Sequence, residues 1–171
     1  TILYTQPESG RGARRMVTAA APVLDESRGA AYFIVNGDRD CEVHGWSLRE
    51  QRQSWKRSLP RAAVAAPALG PGGSLILADL EGTVHALAPD GARIYRYVSG
   101  AEYLLSGAVC AADGQAFLGD PLGRLHVVDR AGKGRPVFEA ARSIQARPAF
   151  DRHGNLYVPS TDRTVYVFRN L

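Results

Sequence analysis

Short apolar runs of four to six residues alternate along the chain with clusters of Gly, Pro, Asp and Asn. No window of ten or more residues carries a helical period, so the pattern predicts strands and turns throughout. Four runs place β-branched or apolar residues around a ring: Glu42-Val43-His44-Gly45-Trp46, Thr83-Val84-His85-Ala86-Leu87, Arg124-Leu125-His126-Val127-Val128 and Thr164-Val165-Tyr166-Val167-Phe168. Their starts lie 41, 41 and 40 residues apart. Three further sets keep nearly the same period. Ala21-Pro22-Val23-Leu24, Ala66-Pro67-Ala68-Leu69, Gly107-Ala108-Val109-Cys110 and Arg147-Pro148-Ala149-Phe150 come first in each repeat. Ala31–Val35, Ser74–Ala78, Gln115–Leu118 and Asn155–Val158 follow. Gln53–Lys56, Arg93–Tyr97 and Arg135–Phe138 close the first three repeats.

Each run reads as a strand, and turns such as Gly70-Pro71-Gly72-Gly73 and Asp113-Gly114 supply the positive φ of tight hairpins. Four short antiparallel strands per ~40 residues is the signature of a β-propeller blade. The reading is therefore all-β, a single propeller region with blades at about 20–57, 65–98, 106–139 and 146–171. Thr1–Thr5 resembles the closing strand, with Tyr4 in the Trp55 position, and is the candidate outer strand of the last blade. That closure removes an exposed sheet edge. A segment cut from a longer propeller fits the same phase.

Composition sharpens this picture. Gly 18 and Pro 10 in 171 residues are about one residue in six, against a usual one in eight or so, and most of them fall in the turns of the repeat or at strand starts such as Pro22, Pro67 and Pro148. The net charge of +4 is mild, and no basic face with interleaved aromatics emerges, so nucleic acid is not an expected partner. The one local cluster, Arg11, Arg14 and Arg15, reads as a solvated loop or an anion or partner contact. Cys41 lies in a polar turn and Cys110 in an apolar stretch; two cysteines make neither a disulfide framework nor a zinc spacing. No apolar run is long enough to span a membrane.

The four repeats resemble the PQQ-like repeat of the quinoprotein propellers, of BamB type, over about residues 1–171. That family's motif, roughly Ala-x-Asp-x-x-x-Gly-x-x-x-Trp, runs from the third strand into the fourth. Gly45, Ser47, Gln51 and Trp55 occupy it in the first repeat. Ala86, Ala88, Gly91 and Tyr95 occupy it in the second, and Val127, Asp129, Gly132 and Phe138 in the third. Only the aromatic persists. In the family this ring packs between neighbouring blades, a task suited to a bulky planar group. WD-type and NHL-type propellers share the architecture and stay open as alternatives. The resemblance implies rings of seven or eight blades, so four blades read as half a ring, completed by a longer chain or a second copy. It also tilts the compartment toward periplasm or secretion.

The recurrent histidines His44, His85 and His126 invite a metal reading. Equivalent positions on different radial sheets lie too far apart for ~2 Å bonds to one zinc, and Tyr166 in the fourth slot points to ring packing. Asp38, Asp79 and Asp120 recur with Asp162 near the fourth place, in the turn between second and third strands. There a carboxylate accepts bonds from turn amides, or forms an acidic ring facing a cation or basic partner. No nucleophile elbow or phosphate loop is present, so no catalytic residue and no metal ligand are assigned. A quinone enzyme resembling this family needs a calcium site of Glu, Asn and Asp, a catalytic Asp, and a stacking Trp or vicinal cysteines; no such constellation is found.

The expected function is a non-catalytic scaffold that binds a protein partner, or the second half of the propeller, through its polar loop face, with no cofactor. The candidate partner-binding residues are Arg14, Arg39, Arg61, Tyr103, Arg142 and Arg163. Two alternatives stand beside it. One is a fragment of a PQQ- and calcium-dependent dehydrogenase whose site lies in other blades; the other is a small-ligand or glycan-binding propeller.

Overall fold

A computed structural model describes residues 20–38, 40–104 and 106–169. The strand proposed at Thr1–Thr5 lies outside them. The first sheet holds β1 (Val23–Asp25), β2 (Ala30–Asn36), β3 (Cys41–Ser47) and β4 (Arg52–Leu59). The second holds β5 (Ala68–Leu69), β6 (Leu75–Ala78), β7 (Thr83–Leu87) and β8 (Arg93–Val98). The third holds β9 (Val109–Cys110), β10 (Ala116–Gly119), β11 (Arg124–Val128) and β12 (Gly134–Glu139). The fourth holds β13 (Ala149–Phe150), β14 (Leu156–Pro159) and β15 (Val165–Phe168). Within every sheet the strands lie in chain order, all antiparallel. Among the described residues the one helical turn is 3-10, Pro71–Gly73.

Successive sheets stack face to face, and each interface is a separate core. Tyr32, Ile34 and Val43 of the first sheet pack with Leu75, Leu77 and Leu87 of the second. Val84 and Ala86 pack with Ala116, Leu118 and Val128. Phe117 and Leu125 pack with Leu156 and Val158. A fully buried Leu or Ile is worth roughly 1.5–3 kcal/mol, so these faces hold the sheets together. The far face of the fourth sheet stays uncovered, with Val165 57%, Val167 46% and Tyr157 37% exposed.

The outer strand of each of the first three sheets sends a ring onto the next. Trp55 lies over Gly91 and donates from Nε1 to the Pro89 carbonyl at 2.7 Å. Tyr95 covers Gly132 and Tyr97 covers Gly134. Phe138 meets Tyr166 and Phe168, with centroids 4.7 and 5.1 Å apart. Phe138 does not occupy the Trp55 slot that motif alignment gives it. It pairs with Leu125, as Tyr97 pairs with Val84 and Arg57 with Val43, while Arg135 stands opposite Val127. The cause is the bulge, which falls between Leu125 and His126 in the third sheet rather than after Gly45 or Ala86.

The first hairpin also departs from the others. Phe33 pairs with His44, Leu77 with His85, Leu118 with His126 and Val158 with Tyr166, so the four rings are equivalent. Eleven residues separate the first pair and eight each of the others. Those extra residues lengthen β2 and β3. Cys41 therefore opens a buried strand, opposite Asn36 and Leu59, and is not in a turn. Asp38 lands on the exposed hairpin tip, although its sequence spacing matches Asp79.

Gly132 has φ 79°, and an added Cβ meets the Tyr95 Cβ at 2.6 Å; Gly154 has φ 80° and open space around it. Gly132→Ala is expected to cost about 2–3 kcal/mol and Gly154→Ala about 1 kcal/mol. Urea denaturation of both variants measures the difference, and equal losses would remove the inter-sheet contact as its cause.

Candidate functional site

The recurrent acids and rings, separate in the sequence, meet in the structure. Asp79 Oδ1 accepts from the Glu81 and Thr83 amides at 2.9 Å, and Oδ2 accepts from His85 Nε2 at 2.8 Å. Asp120 repeats this with the Leu122 and Arg124 amides and with His126 Nε2 at 2.9 Å, adding Arg124 Nε at 2.6 Å. In the fourth sheet Tyr166 donates its hydroxyl to Asp162 at 2.7 Å. His44 instead meets Glu42 at 3.3 Å and Gln53 at 2.9 Å. The detectable signal was the constant interval of six residues between Asp79 and His85 and between Asp120 and His126. Burial pushes the Asp79 and Asp120 carboxyls up, but the histidine and amide hydrogen bonds outweigh it and hold both below 3.8.

These hairpins share one face with the segments that link the sheets. Asn36 exchanges two buried 2.9 Å bonds with the Ala63 backbone. Leu80 N bonds Ala62 O, Ile144 N bonds Asp120 O, and Thr161 N bonds Ser143 O. Of the candidate residues, Arg14 and Arg39 lie outside the described residues. Arg61 sits in the first link and pairs with Glu81. Tyr103 is half-buried in the second link and Arg142 exposed in the third. Arg163 is exposed at the tip of the β14–β15 hairpin. The structure brings the last two segments together, because Ser160 Oγ donates to the Arg142 carbonyl at 3.1 Å. Among the described residues no hydrogen bond joins Tyr103 to those two segments.

A second feature escaped the sequence. Between the first and second sheets, Arg57, Arg61, Arg93 and Arg96 line a cavity of about 280 Å³ with His85, Asp79 and Glu81. Arg96 stands opposite His85 across the β7–β8 ladder. Arg57 is held by Nη1 on the Gly91 carbonyl at 2.8 Å. The signal was an arginine in the slot that carries Tyr97 and Phe138 elsewhere.

No protein-family model matches the chain, and no curated protein is similar to it in sequence. Solved structures are similar in fold. BamB from Moraxella catarrhalis superposes with a TM-score of 0.71 at 19% identity, over 89% of this chain and 46% of BamB. The Dos1 propeller superposes at 0.74 and 10% identity, over 89% of this chain and 41% of that one. The fold is that of a β-propeller. The computationally designed Ika4 protein matches at 0.68 and 11% identity, over 97% of this chain and 99% of Ika4. This chain thus spans about half the length of BamB and nearly all of Ika4.

Among the described residues no three His, Cys, Asp or Glu side chains converge to hold a metal ion. Cys41 and Cys110 are free thiols, not vicinal, which burial pushes up to about 12 and about 11. No helix is long and apolar enough to cross a membrane.

A lowered carboxyl pKa contributes stability that is present above the unfolded value and lost as pH falls through the folded one. Asp120→Asn is expected to cost about 1–3 kcal/mol near neutral pH and to flatten the acid limb below 3.8. Denaturant titrations at neutral and acid pH check this; an unchanged acid limb would exclude Asp120 from the acid response.

Proposed function

We propose that this propeller is a binding scaffold whose hairpin-and-link face meets a protein partner, with Arg142 and Arg163 at the contact. The observation that carries this reading is Arg163. It has φ 72° and bonds back to Ser160 O, the place that Gly82 and Gly123 fill in the second and third blades. A non-glycine residue there costs about 1 kcal/mol, and a retained strain of this kind supports a functional role for the side chain. The neighbouring links are tied down by backbone bonds, so the guanidinium groups are displayed from a rigid frame. Arg61, already paired with Glu81, plays the lesser part.

Arg163→Gly is expected to raise stability by about 1 kcal/mol while weakening partner capture. A photo-crosslinker at Arg142 or Arg163 is expected to trap the same partner, and one at Ile94 on the outer rim to trap none. Loss of the adduct in Arg142→Glu supports the contact; equal yield from all three sites overturns it.

A second half-ring is the other partner the structure supports. Another blade would bury Val165, Val167 and Tyr157 on the uncovered face. If a second copy supplies that blade, light scattering is expected to read twice 18.4 kDa; a mass of 18.4 kDa removes the second copy as its source.

A further inference from the structure

The interfaces between blades differ at one slot, and the difference leaves a cavity with a defined chemistry. Between the second and third blades, Tyr97 hydroxyl donates to His126 Nδ1 at 3.1 Å, while His126 Nε2 binds Asp120. Between the third and fourth, Phe138 lies against Tyr166. Between the first and second, the corresponding residue is Arg57, drawn away to the Gly91 carbonyl. His85 still gives Nε2 to Asp79, but its Nδ1 has no hydrogen-bond partner among the described residues. The ring is 3% exposed and lines the 280 Å³ cavity.

We propose that this cavity between the first and second blades binds a small oxyanion that also carries a hydroxyl group, of the sugar phosphate class. The neighbouring interface shows what the histidine edge accepts there. Nε2 points its hydrogen at the Asp79 carboxylate, so Nδ1 of the neutral ring is an acceptor and takes a hydroxyl, as His126 takes that of Tyr97. The anionic end is set by the rim. Among the described residues Arg57, Arg93 and Arg96 have no carboxylate partner, whereas Arg61 is paired with Glu81. Guanidinium forks bind phosphate and carboxylate oxygens with charge-assisted bonds. At about 280 Å³ the cavity falls just below the ~300–1,000 Å³ range of ligand pockets, which suits a monosaccharide-sized ligand and not a large cofactor. This site is separate from the Arg142–Arg163 face and does not depend on it.

Calorimetric titration of the whole chain with glucose 6-phosphate, inorganic phosphate and glucose tests the proposal. Glucose 6-phosphate is expected to bind about tenfold or more tighter than inorganic phosphate, and glucose not measurably. The exposed double variant Arg93→Gln/Arg96→Gln is expected to weaken that binding by about tenfold or more with the fold intact. Arg57→Tyr rebuilds the Tyr97 arrangement; it is expected to keep or raise the thermal midpoint and to abolish binding. The proposal is overturned if none of the three probes binds the parent chain. It is equally overturned if inorganic phosphate binds as tightly as glucose 6-phosphate, or if the double variant binds as the parent does.

Discussion

Each sheet in this molecule is too small to stand alone. Three or four strands of two to eight residues, apolar on both faces, cannot offset the entropy of ordering unless another sheet covers each side. The stacking of sheet on sheet is therefore the constraint on which everything else depends. It explains why apolar residues sit at every position of β6 and β10, where an edge or surface strand alternates. It explains the aromatic residues of the outer strands, which reach past their own sheet onto the next, Trp55, Tyr95 and Tyr97 onto a glycine and Phe138 onto Tyr166 and Phe168. It also explains the uncovered apolar face of the fourth blade, where the series has no further neighbour among the described residues.

Polar groups are drawn into the same interfaces. An aspartate at the base of the hairpin ties down its own turn and holds the ring that faces the preceding blade. Such a buried pair is tolerated because nearly every lone pair and proton has a partner. Where the preceding blade supplies a tyrosine both nitrogens of the histidine are bonded, and where it supplies Arg57 one is left without a partner among the described residues. A single slot in the repeat thus decides whether an interface is sealed or open.

Much of this was legible in the chain. The period of about 41 residues, the strand runs and the turn glycines marked the four blades, because period-two burial and positive-φ turns leave local traces. The amide-binding role of Asp79 and Asp120 was legible for the same reason. What could not be read was register. Asp38 has the same sequence interval to His44 as Asp79 has to His85, yet a longer hairpin places it on the exposed tip. Phe138 aligns with Trp55 by motif, yet a shifted bulge moves it to the neighbouring slot.

By itself, then, the sequence determined the repeat, the all-β class and the need for a ring at the blade interface. These follow from local patterns of burial and turn formation that each repeat carries independently. Only the tertiary structure decided which acid meets which histidine, that Arg142 and Arg163 share one rim, and that Arg57, Arg93 and Arg96 surround a cavity. Those outcomes depend on hairpin length, bulge position and the identity of the residue facing across from another blade. They are properties of pairs of repeats, and no single stretch of chain contains them.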